Sequence, residues 1–387
     1  LKTPAPFRAV MKAIMYRYLR RGREGQRRPK GLTLCQFFFS SMPFLRYLDT
    51  LKIETLKAAS PAIMLSYATN CSGTIQRNGK GISKYCLSSR LNAVEALYEL
   101  SQYTHVPIPT PPWPGSSSTL LAGLTGKFSR YNHEGKTPLI PDEVFCSVFE
   151  KAYEEVQKGA ALLDLRDALS FVDAKLKLFT PQMIALSKKR KLVALGWKDG
   201  LVSFNRAVLR LRTACYIVLA STTGCRNHEL ANLKLASHHR TQDNEGTTFH
   251  WMRSLSEKTN AGMCDWMIPE AAVRALRLME RWSAPYQMLI AEEIASRRRL
   301  NPQDPEIANA QKHLHSLFLG SSDRNLGQVR TLSCTACNHS LKVFARNTGQ
   351  TWSLSSHQFR RKFANYVAHS RFGDLRYLRE HFAHWSM

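Results

Sequence analysis

Three residues in two distant segments have side chains suited to binding a phosphodiester. His357 and Arg360 stand three positions apart in SHQFRRKFANYV, and Arg226 follows a glycine in TTGCRNHEL. Residues at i and i+3 share one face of a helix, so we expect His357 and Arg360 to face the same cleft. A guanidinium donates two parallel hydrogen bonds to phosphate oxygens, so Arg226 and Arg360 together predict a site with two forked cations.

The composition favours a polyanionic partner. The 387 residues include 55 Lys and Arg against 29 Asp and Glu, which gives a formal net charge of +26. An excess of this size attracts polyanions and carries no information about the fold. Nucleic acid is the first candidate, and an acidic membrane surface is the alternative. No apolar run reaches the length of a membrane span, so we expect a soluble chain.

Cysteine usage indicates a reducing compartment. The nine cysteines are scattered and odd in number, and no secretory signal precedes them. A disulfide framework is therefore not expected. We expect a cytoplasmic protein associated with the nucleoid in a bacterium, or a nuclear protein in a eukaryote.

The first third of the chain predicts a basic segment followed by a small helical domain. Residues 1–31 form either a basic arm that lies on DNA phosphates, a solvated tail or a targeting peptide. Residues 32–108 repeat apolar positions at helical spacing, and one of their helices is expected to open at Ser88. Lys84 and Arg90, near that position, either contact DNA phosphates or are solvated surface charges.

A linker and a second domain follow. Residues 109–136 are rich in Pro, Ser and Gly, so we assign them to a linker. The second domain spans 137–387, and one of its helices is predicted to end at Gly224. The next helix opens beside Arg226, where backbone N–H groups suit an anion.

A β-hairpin is expected downstream of that helix. Residues 247–255 and 263–269 have the β-branched and aromatic content of strands, and the Asn and Gly between them favour a turn. Lys258 lies at the tip, where its long side chain either reaches a neighbouring cleft or is solvated. His238 and His239, before the hairpin, are assigned to a solvated loop.

The order of these motifs resembles that of the tyrosine recombinase and phage integrase family. Arg226 in T-G-x-R-x-x-E-L, Lys258 in a hairpin, the H-x-x-R of His357 and Arg360, and His384 follow one another as they do in that family. Each motif is weak by itself, and the combination is more specific. The resemblance covers about 137–387. It implies a mainly α fold with a small antiparallel β-sheet, in which a helical core-binding domain precedes a mixed α/β catalytic domain.

The resemblance also implies a role for each cation. Arg226 and Arg360 would bind the nonbridging oxygens, which gain negative charge in the transition state of phosphoryl transfer. Lys258 would protonate the departing 5′ oxygen, and His357 would accept a proton from the nucleophile or orient it. His384 would hydrogen-bond the phosphate.

Three further residues belong to the predicted site. Glu229 matches the family's acidic position and would hold an arginine or histidine by a charge-assisted hydrogen bond. Arg361 joins Lys84 and Arg90 as a candidate DNA contact. His381 is the alternative to His384 because it lies about one helical turn earlier.

The family's nucleophile is a tyrosine that follows the second histidine. No tyrosine follows His384 before the last residue, Met387, and Tyr377 precedes it. We therefore expect the nucleophile to be missing from this fragment.

Residues 285–350 exceed what a compact catalytic core needs, so we expect an insertion there. One C-x-x-C supplies only two of the four ligands of a zinc site. The insertion therefore contains either a loop with unpaired thiols or a zinc knuckle completed by histidines. The residues concerned are Cys334, Cys337, His313, His315 and His339. The run 297–299 is assigned to a solvated helix face, with phosphate contact as the alternative.

These inferences predict a site-specific recombinase or integrase that cleaves and rejoins DNA through a 3′-phosphotyrosyl intermediate. It would need no metal, no cofactor and no small-molecule substrate. Its partners would be double-stranded DNA and further copies of itself, as a tetramer on paired sites, with no membrane. The alternatives are a catalytically inactive DNA-binding protein and a type IB topoisomerase-like enzyme.

Overall fold

The computed structural model describes residues 3–75, 79–124, 137–175, 180–257, 262–321, 327–370 and 381. The chain divides into two compact units, Leu1–Lys136 and Thr137–Met387, which we call unit 1 and unit 2. None of the helices in the described residues combines the length and apolar composition that a bilayer crossing requires.

Unit 1 is helical. Its helices are α1 (Arg8–Arg21), α2 (Gly31–Thr50), α3 (Pro61–Ser72), α4 (Lys84–Ser101) and α5 (Ser118–Leu121). The centre is α4, whose buried side includes Leu91, Val94 and Leu97 and contacts the other four helices. This helix begins before the predicted Ser88, because the Ser83 side chain accepts a hydrogen bond from the Cys86 amide and caps it.

The basic segment 1–31 is not separate from the helical domain. Phe7, Met11, Ile14 and Tyr18 recur at steps of four, three and four residues, and all are buried in the core of unit 1. The Tyr18 ring packs edge-on against Phe37, with 5.2 Å between ring centroids. Helix α1 is therefore part of the helical domain, since its apolar stripe is covered by the other helices. Contact of its arginines with DNA phosphates stays a prediction.

The predicted linker 109–136 also belongs partly to unit 1. Trp113 and Ala122 are buried in the same core as Ile108, and α5 begins at Ser118. The stretch up to residue 124 is thus packed rather than extended. Residues 125–136 lie outside the described part of the chain.

In its described residues, unit 2 combines helices with two small antiparallel sheets. Its helices before the first sheet are α6 (Asp142–Lys175), α7 (Pro181–Ala194), α8 (Gly200–Thr223) and α9 (Asn227–Ala231). The first sheet contains β1 (His238–Gln242), β2 (Thr248–Ser256) and β3 (Gly262–Met267). The remaining elements are α10 (Glu270–Leu300), α11 (Pro305–His313), β4 (Leu319–Ser321), β5 (Val329–Thr331), α12 (Cys334–Asn347) and α13 (Ser356–His369). The predicted fold class, mainly α with a small antiparallel sheet, is confirmed.

The first sheet has the order β1-β2-β3. The predicted hairpin corresponds to β2 and β3, which pair antiparallel from Trp251 opposite Met267 onwards. The assignment of His238 and His239 to a loop is wrong, because both lie in β1. His238 pairs with Met252, and its ring Nε2 lies 3.0 Å from Nδ1 of His250 on the neighbouring strand.

Helix α8 forms the centre of unit 2. Its residues from Leu211 to Ala220 are all buried, as expected for a helix surrounded by other elements. It contacts α6, α7, α10, α12 and α13. Gly224 ends it in the left-handed conformation, with φ of +59°, and donates its N–H to the Ala220 carbonyl.

Helix α10 continues through an internal proline. Pro285 has no N–H, so the carbonyl of Arg281, four residues earlier, loses its partner within the helix. Arg166 of α6 donates to that carbonyl at 2.9 Å and to the Trp282 carbonyl at 2.8 Å. A side chain from another helix therefore replaces the hydrogen bond that the proline removes.

The region expected to be an insertion, 285–350, contributes to the core of unit 2. Its buried side chains include Ile294, Ile307, Phe318 and Phe344. The run 297–299 lies on α10, where Arg297 pairs with Glu293 at 2.9 Å and with Asp304 at 2.8 Å.

Cys334 and Cys337 lie in α12, so their assignment to a loop is wrong. Cys334 is exposed and Cys337 is buried, and burial raises the pKa of the Cys337 thiol to about 11. Within the described residues, no three His, Cys, Asp or Glu side chains are grouped as a metal site requires. The zinc knuckle therefore has no support in this part of the chain.

A buried lysine links α13 to the start of α6. The Lys362 side chain is 1% exposed and its Nζ lies 2.6 Å from Oδ1 of Asp142, whose side chain is 72% exposed. The Tyr366 hydroxyl donates to the same oxygen at 2.6 Å. Hydrogen bonds from Lys362 and Tyr366 lower the pKa of Asp142.

This exposure difference predicts unequal effects of removing the two partners. We expect Asp142→Ala to destabilise the protein more than Lys362→Met, because the first leaves a buried ammonium uncompensated and the second leaves a carboxylate that water can solvate. Urea unfolding at pH 7 measures both, with the exposed neighbour Glu143→Ala as control. Equal losses, or a larger loss for Lys362→Met, would contradict this reading.

Candidate phosphate-binding site

The turn between α8 and α9 carries the first of the predicted arginines. Arg226 immediately precedes α9, and its side chain is 11% exposed. Its backbone N–H donates to Oε2 of Glu229 at 2.6 Å, and its Nη1 donates to Oε1 at 2.9 Å. One backbone N–H at this helix end, that of Arg226, is therefore bonded to a carboxylate of the protein.

Glu229 joins this turn to the sheet. Its side chain is 1% exposed, and Oε1 accepts a hydrogen bond from the Ser256 hydroxyl at 2.7 Å. Ser254, two residues earlier on β2, donates to the Glu229 carbonyl at 2.5 Å. Burial alone raises the pKa of Glu229, but the hydrogen bonds from Arg226 and Ser256 and the charge of Arg226 outweigh it and hold the pKa below its usual value.

Arg360 approaches the same turn from α13. Its side chain is buried, and Nη1 donates to the Gly224 carbonyl at 3.0 Å. Burial and then the nearby charge of Arg226 lower the pKa of Arg360 to about 10. The guanidinium therefore stays charged at neutral pH, and among the described residues of this turn two cations meet one carboxylate, that of Glu229.

His381 also contacts the turn. Its Nε2 lies 2.7 Å from the Thr223 carbonyl, so this nitrogen carries the proton and donates it. The ring stacks on Phe363, with 5.1 Å between centroids. Burial is the main cause that lowers the pKa of His381, so the imidazole is neutral at pH 7.

The remaining predicted site residues of unit 2 are exposed or fall outside the described chain. His357 is exposed on the first turn of α13, whereas Arg360 is buried. Arg361 is exposed and donates to the Thr137 carbonyl. Lys258, His384 and Tyr377 fall on positions that the structure does not describe.

The two candidate contacts in unit 1 are bound within that unit. Lys84 is exposed, with Nζ 3.3 Å from the Gly123 carbonyl. Arg90 is half-buried, and its Nη1 lies 3.9 Å from Sγ of Cys71. Their contact with DNA stays a prediction.

Sequence reasoning missed the residues that hold the arginines in place. Ser254 and Ser256 alternate along β2 and both face inward, where they bind Glu229. The available signal was the spacing of two between these serines, which places both on the same face of a strand as the buried Met252. No local sequence pattern indicated that Thr223 and Phe363 belong to the site. Thr223 contacts His381 through its carbonyl, and Phe363 packs beside Gly224, far away in the sequence.

No protein-family model matches this sequence, and no curated protein matches it. The chain is similar to a XerH site-specific recombinase bound to a palindromic difH substrate, with 14% identity and a TM-score of 0.49 over 92% of this chain and 74% of that one. XerA recombinase has 13% identity and a TM-score of 0.32, covering 97% and 90%. The Tn1549 transposon integrase in complex with circular intermediate DNA has 14% identity and a TM-score of 0.39, covering 97% and 96%. At such identities and scores, function has to be argued from the residues of the site.

The lowered pKa of Glu229 predicts a pH-dependent contribution to stability. A carboxyl group whose pKa is lower in the folded state stabilises the fold above its unfolded pKa, about 4.3, and loses that contribution as the pH falls through the folded value. We expect Glu229→Gln to cost about 1–3 kcal/mol at pH 7 and progressively less below that unfolded pKa. Urea unfolding between pH 3 and pH 7 measures the difference.

The exposed Glu292→Gln substitution on α10 is the matched control, and we expect it to leave stability unchanged. A deficit of Glu229→Gln that stays constant across this pH range would show that the carboxylate charge is not what stabilises the turn.

Proposed function

We propose that unit 2 binds the scissile phosphate of DNA and catalyses phosphoryl transfer, as in a site-specific recombinase or integrase. The observation that carries this proposal is the convergence of two arginines, Arg226 and Arg360, on the Gly224 turn in a chain of net charge +26. Within the described part of the turn, the two cations outnumber the one carboxylate, and this excess positive charge favours an anion with several oxygens.

The positions of the two arginines suit transition-state stabilisation. Arg360 is held by a backbone carbonyl and Arg226 by Glu229, so both guanidiniums are oriented before a substrate arrives. Oriented donors need no reorganisation when charge develops on the nonbridging oxygens, and they are more effective where water is excluded. Glu229 acts as a positioning residue for Arg226 in this scheme.

Other roles follow from the resemblance and remain proposals. Lys258 would be the general acid for the leaving 5′ oxygen, and His357 would accept a proton from the nucleophile or orient it. His384 would bind the phosphate, with His381 as the alternative. The attacking group would be a tyrosine after the second histidine, giving a 3′-phosphotyrosyl intermediate. Exchanging a phosphodiester for a phosphotyrosine conserves the bond energy, so rejoining needs no external fuel.

We further propose that the protein works as a tetramer on paired DNA sites, in the cytoplasm or in a nucleus. Two alternatives remain distinguishable. A type IB topoisomerase-like enzyme would relax supercoiled DNA as a monomer, whereas a recombinase needs paired sites. A DNA-binding protein without catalysis would bind duplex DNA and form no covalent adduct when the complete reading frame is expressed.

The DNA-binding part of the proposal has a direct test in unit 1. Arg20, Arg21 and Arg28 line one concave surface with Tyr16 and Tyr103. If these arginines contact phosphates, the logarithm of the duplex-binding constant should fall steeply with the logarithm of the salt concentration. Each phosphate neutralised contributes about −0.9 to this slope. Replacing the three arginines with Gln should therefore make the slope less negative, by up to about 2.7.

The control variant replaces Arg46, Lys52 and Lys57 with Gln, which removes the same charge from exposed positions elsewhere in unit 1. Its slope should stay close to that of the wild type. Equal changes in both variants would mean that net charge alone governs binding, and a flat salt response of the wild type would contradict the DNA-binding proposal.

A further inference from the structure

A cationic cavity lies on α8, away from the Gly224 turn. Its volume is about 510 Å³, and its walls come from α8, α12 and Trp197. Cavities of roughly 300–1,000 Å³ hold small molecules. Arg212 lines it and precedes Gly224 by twelve residues, which is roughly 18 Å along a helix axis. The cavity is therefore separate from the candidate phosphate-binding site.

Arg212 gives this cavity an uncompensated buried charge. Its side chain is 8% exposed, Nη1 donates to the Leu319 carbonyl at 2.6 Å, and the guanidinium lies 5.2 Å from the centre of the Trp282 ring. Its Nε has no hydrogen-bond partner among the described residues. No carboxylate forms an ion pair with it in that part of the chain. A buried cation without a counter-ion is costly, and an anion from solution would offset that cost.

The rest of the lining adds positive charge and apolar surface. Arg206 and Arg210 stand four residues apart on the same face of α8, and Arg210 pairs with Glu155 at 2.9 Å. Asp199 is the one acid that the described residues contribute to the lining. Trp197 and Phe344 supply aromatic walls. The cavity thus offers forked donors on one side and apolar surface on the other.

We propose that this cavity binds a small organic anion, a carboxylate or phosphate attached to an apolar or aromatic body. The anionic group would meet Arg212 and Arg206, and the apolar body would lie between Trp197 and Phe344. This ligand is not a substrate of the proposed DNA chemistry, and the inference holds whether or not that chemistry is correct. Binding stabilises the folded state by mass action.

The probes are 2-naphthoate and its neutral counterpart 2-naphthamide, measured by isothermal titration calorimetry and thermal unfolding of the whole chain. We expect saturable binding of one naphthoate and a rise in Tm, with binding of the amide about tenfold weaker or more. Ser203→Trp places a large side chain in the cavity lining and should abolish binding. Ser296→Trp, at an exposed position on α10, is the matched control and should bind like the wild type.

Two further variants locate the anion. Arg212→Met should lose the preference for naphthoate over naphthamide, and Ser203→Trp keeps the test decisive if Arg212→Met does not fold. Arg226→Ala should bind naphthoate normally.

Several results would overturn the proposal. They are the absence of saturable binding, equal binding in Ser203→Trp, equal affinity for the amide, and loss of binding in Arg226→Ala. Displacement of naphthoate by a short DNA duplex in the Arg226→Ala variant would assign the cavity to nucleic acid and overturn it as well.

Discussion

We expect Arg360→Ala to lower the rate of DNA strand cleavage about 10²–10³-fold, the loss typical for removal of one oriented donor to a developing oxyanion. The Arg360 guanidinium is buried and bound to the Gly224 carbonyl, so neither water nor a neighbouring side chain can take its place easily. The measurement is single-turnover formation of a covalent adduct on a nicked suicide substrate, using the protein from the complete reading frame.

Arg361→Ala is the matched control on the same helix, because Arg361 is exposed. It should weaken duplex binding and leave the rate at saturating DNA nearly unchanged. Arg360→Lys keeps the charge and loses the fork, so its rate should fall between those of the wild type and Arg360→Ala. A wild-type cleavage rate in Arg360→Ala would show that this arginine only supports the fold.

Gly224→Ala should destabilise the protein by about 2–5 kcal/mol, since two costs combine at this position. An alanine in the left-handed region costs about 1–2 kcal/mol, and forcing extra volume into a packed site costs about 1–3 kcal/mol. Gly224 has φ of +59°, and an added Cβ would lie 2.7 Å from the ring of Phe363. Urea unfolding measures the loss.

Gly196→Ala separates the two costs. Gly196 has φ of +91°, and no atom lies within 4 Å of an added Cβ, so this control should show the conformational cost alone. In a double-mutant cycle, Gly224→Ala should lower the free energy of unfolding by less when Phe363→Ala is also present, because the clashing ring is then absent. Equal losses for the two glycines would mean that Phe363 yields without cost.

The sequence predicted those parts of the site that depend on local signals. Gly224 marked the end of α8 because a residue after a helix often needs positive φ, and the Asn and Gly after Ser256 marked the hairpin. The spacing of His357 and Arg360 placed both on one helix. It did not reveal that one is exposed and the other buried, because that depends on how α13 packs against α8.

The errors have two physical causes. Strand β1 was missed because His238 and His239 are polar, and what holds them is pairing with β2 rather than any local propensity. Helix α1 was left out of the predicted helical domain because its arginines are typical of a solvated segment, although the apolar stripe from Phe7 to Tyr18 was present in the sequence. Contacts such as Arg360 with Gly224 join residues 136 positions apart, and no local pattern specifies them.

The Arg166 side chain donates the hydrogen bond that Pro285 cannot donate to the Arg281 carbonyl. This contact also bears on the order in which unit 2 assembles. Isolated from α6, the chain around Arg281 would have a carbonyl without a helical donor, so a break in the helix at this point would cost little. Once Arg166 docks, the same carbonyl is satisfied, and a break in the helix at this point would then cost a hydrogen bond. Continuity of α10 is therefore a product of tertiary assembly. The strands β4 and β5, which contact α10, should acquire their final support only after α6 has docked.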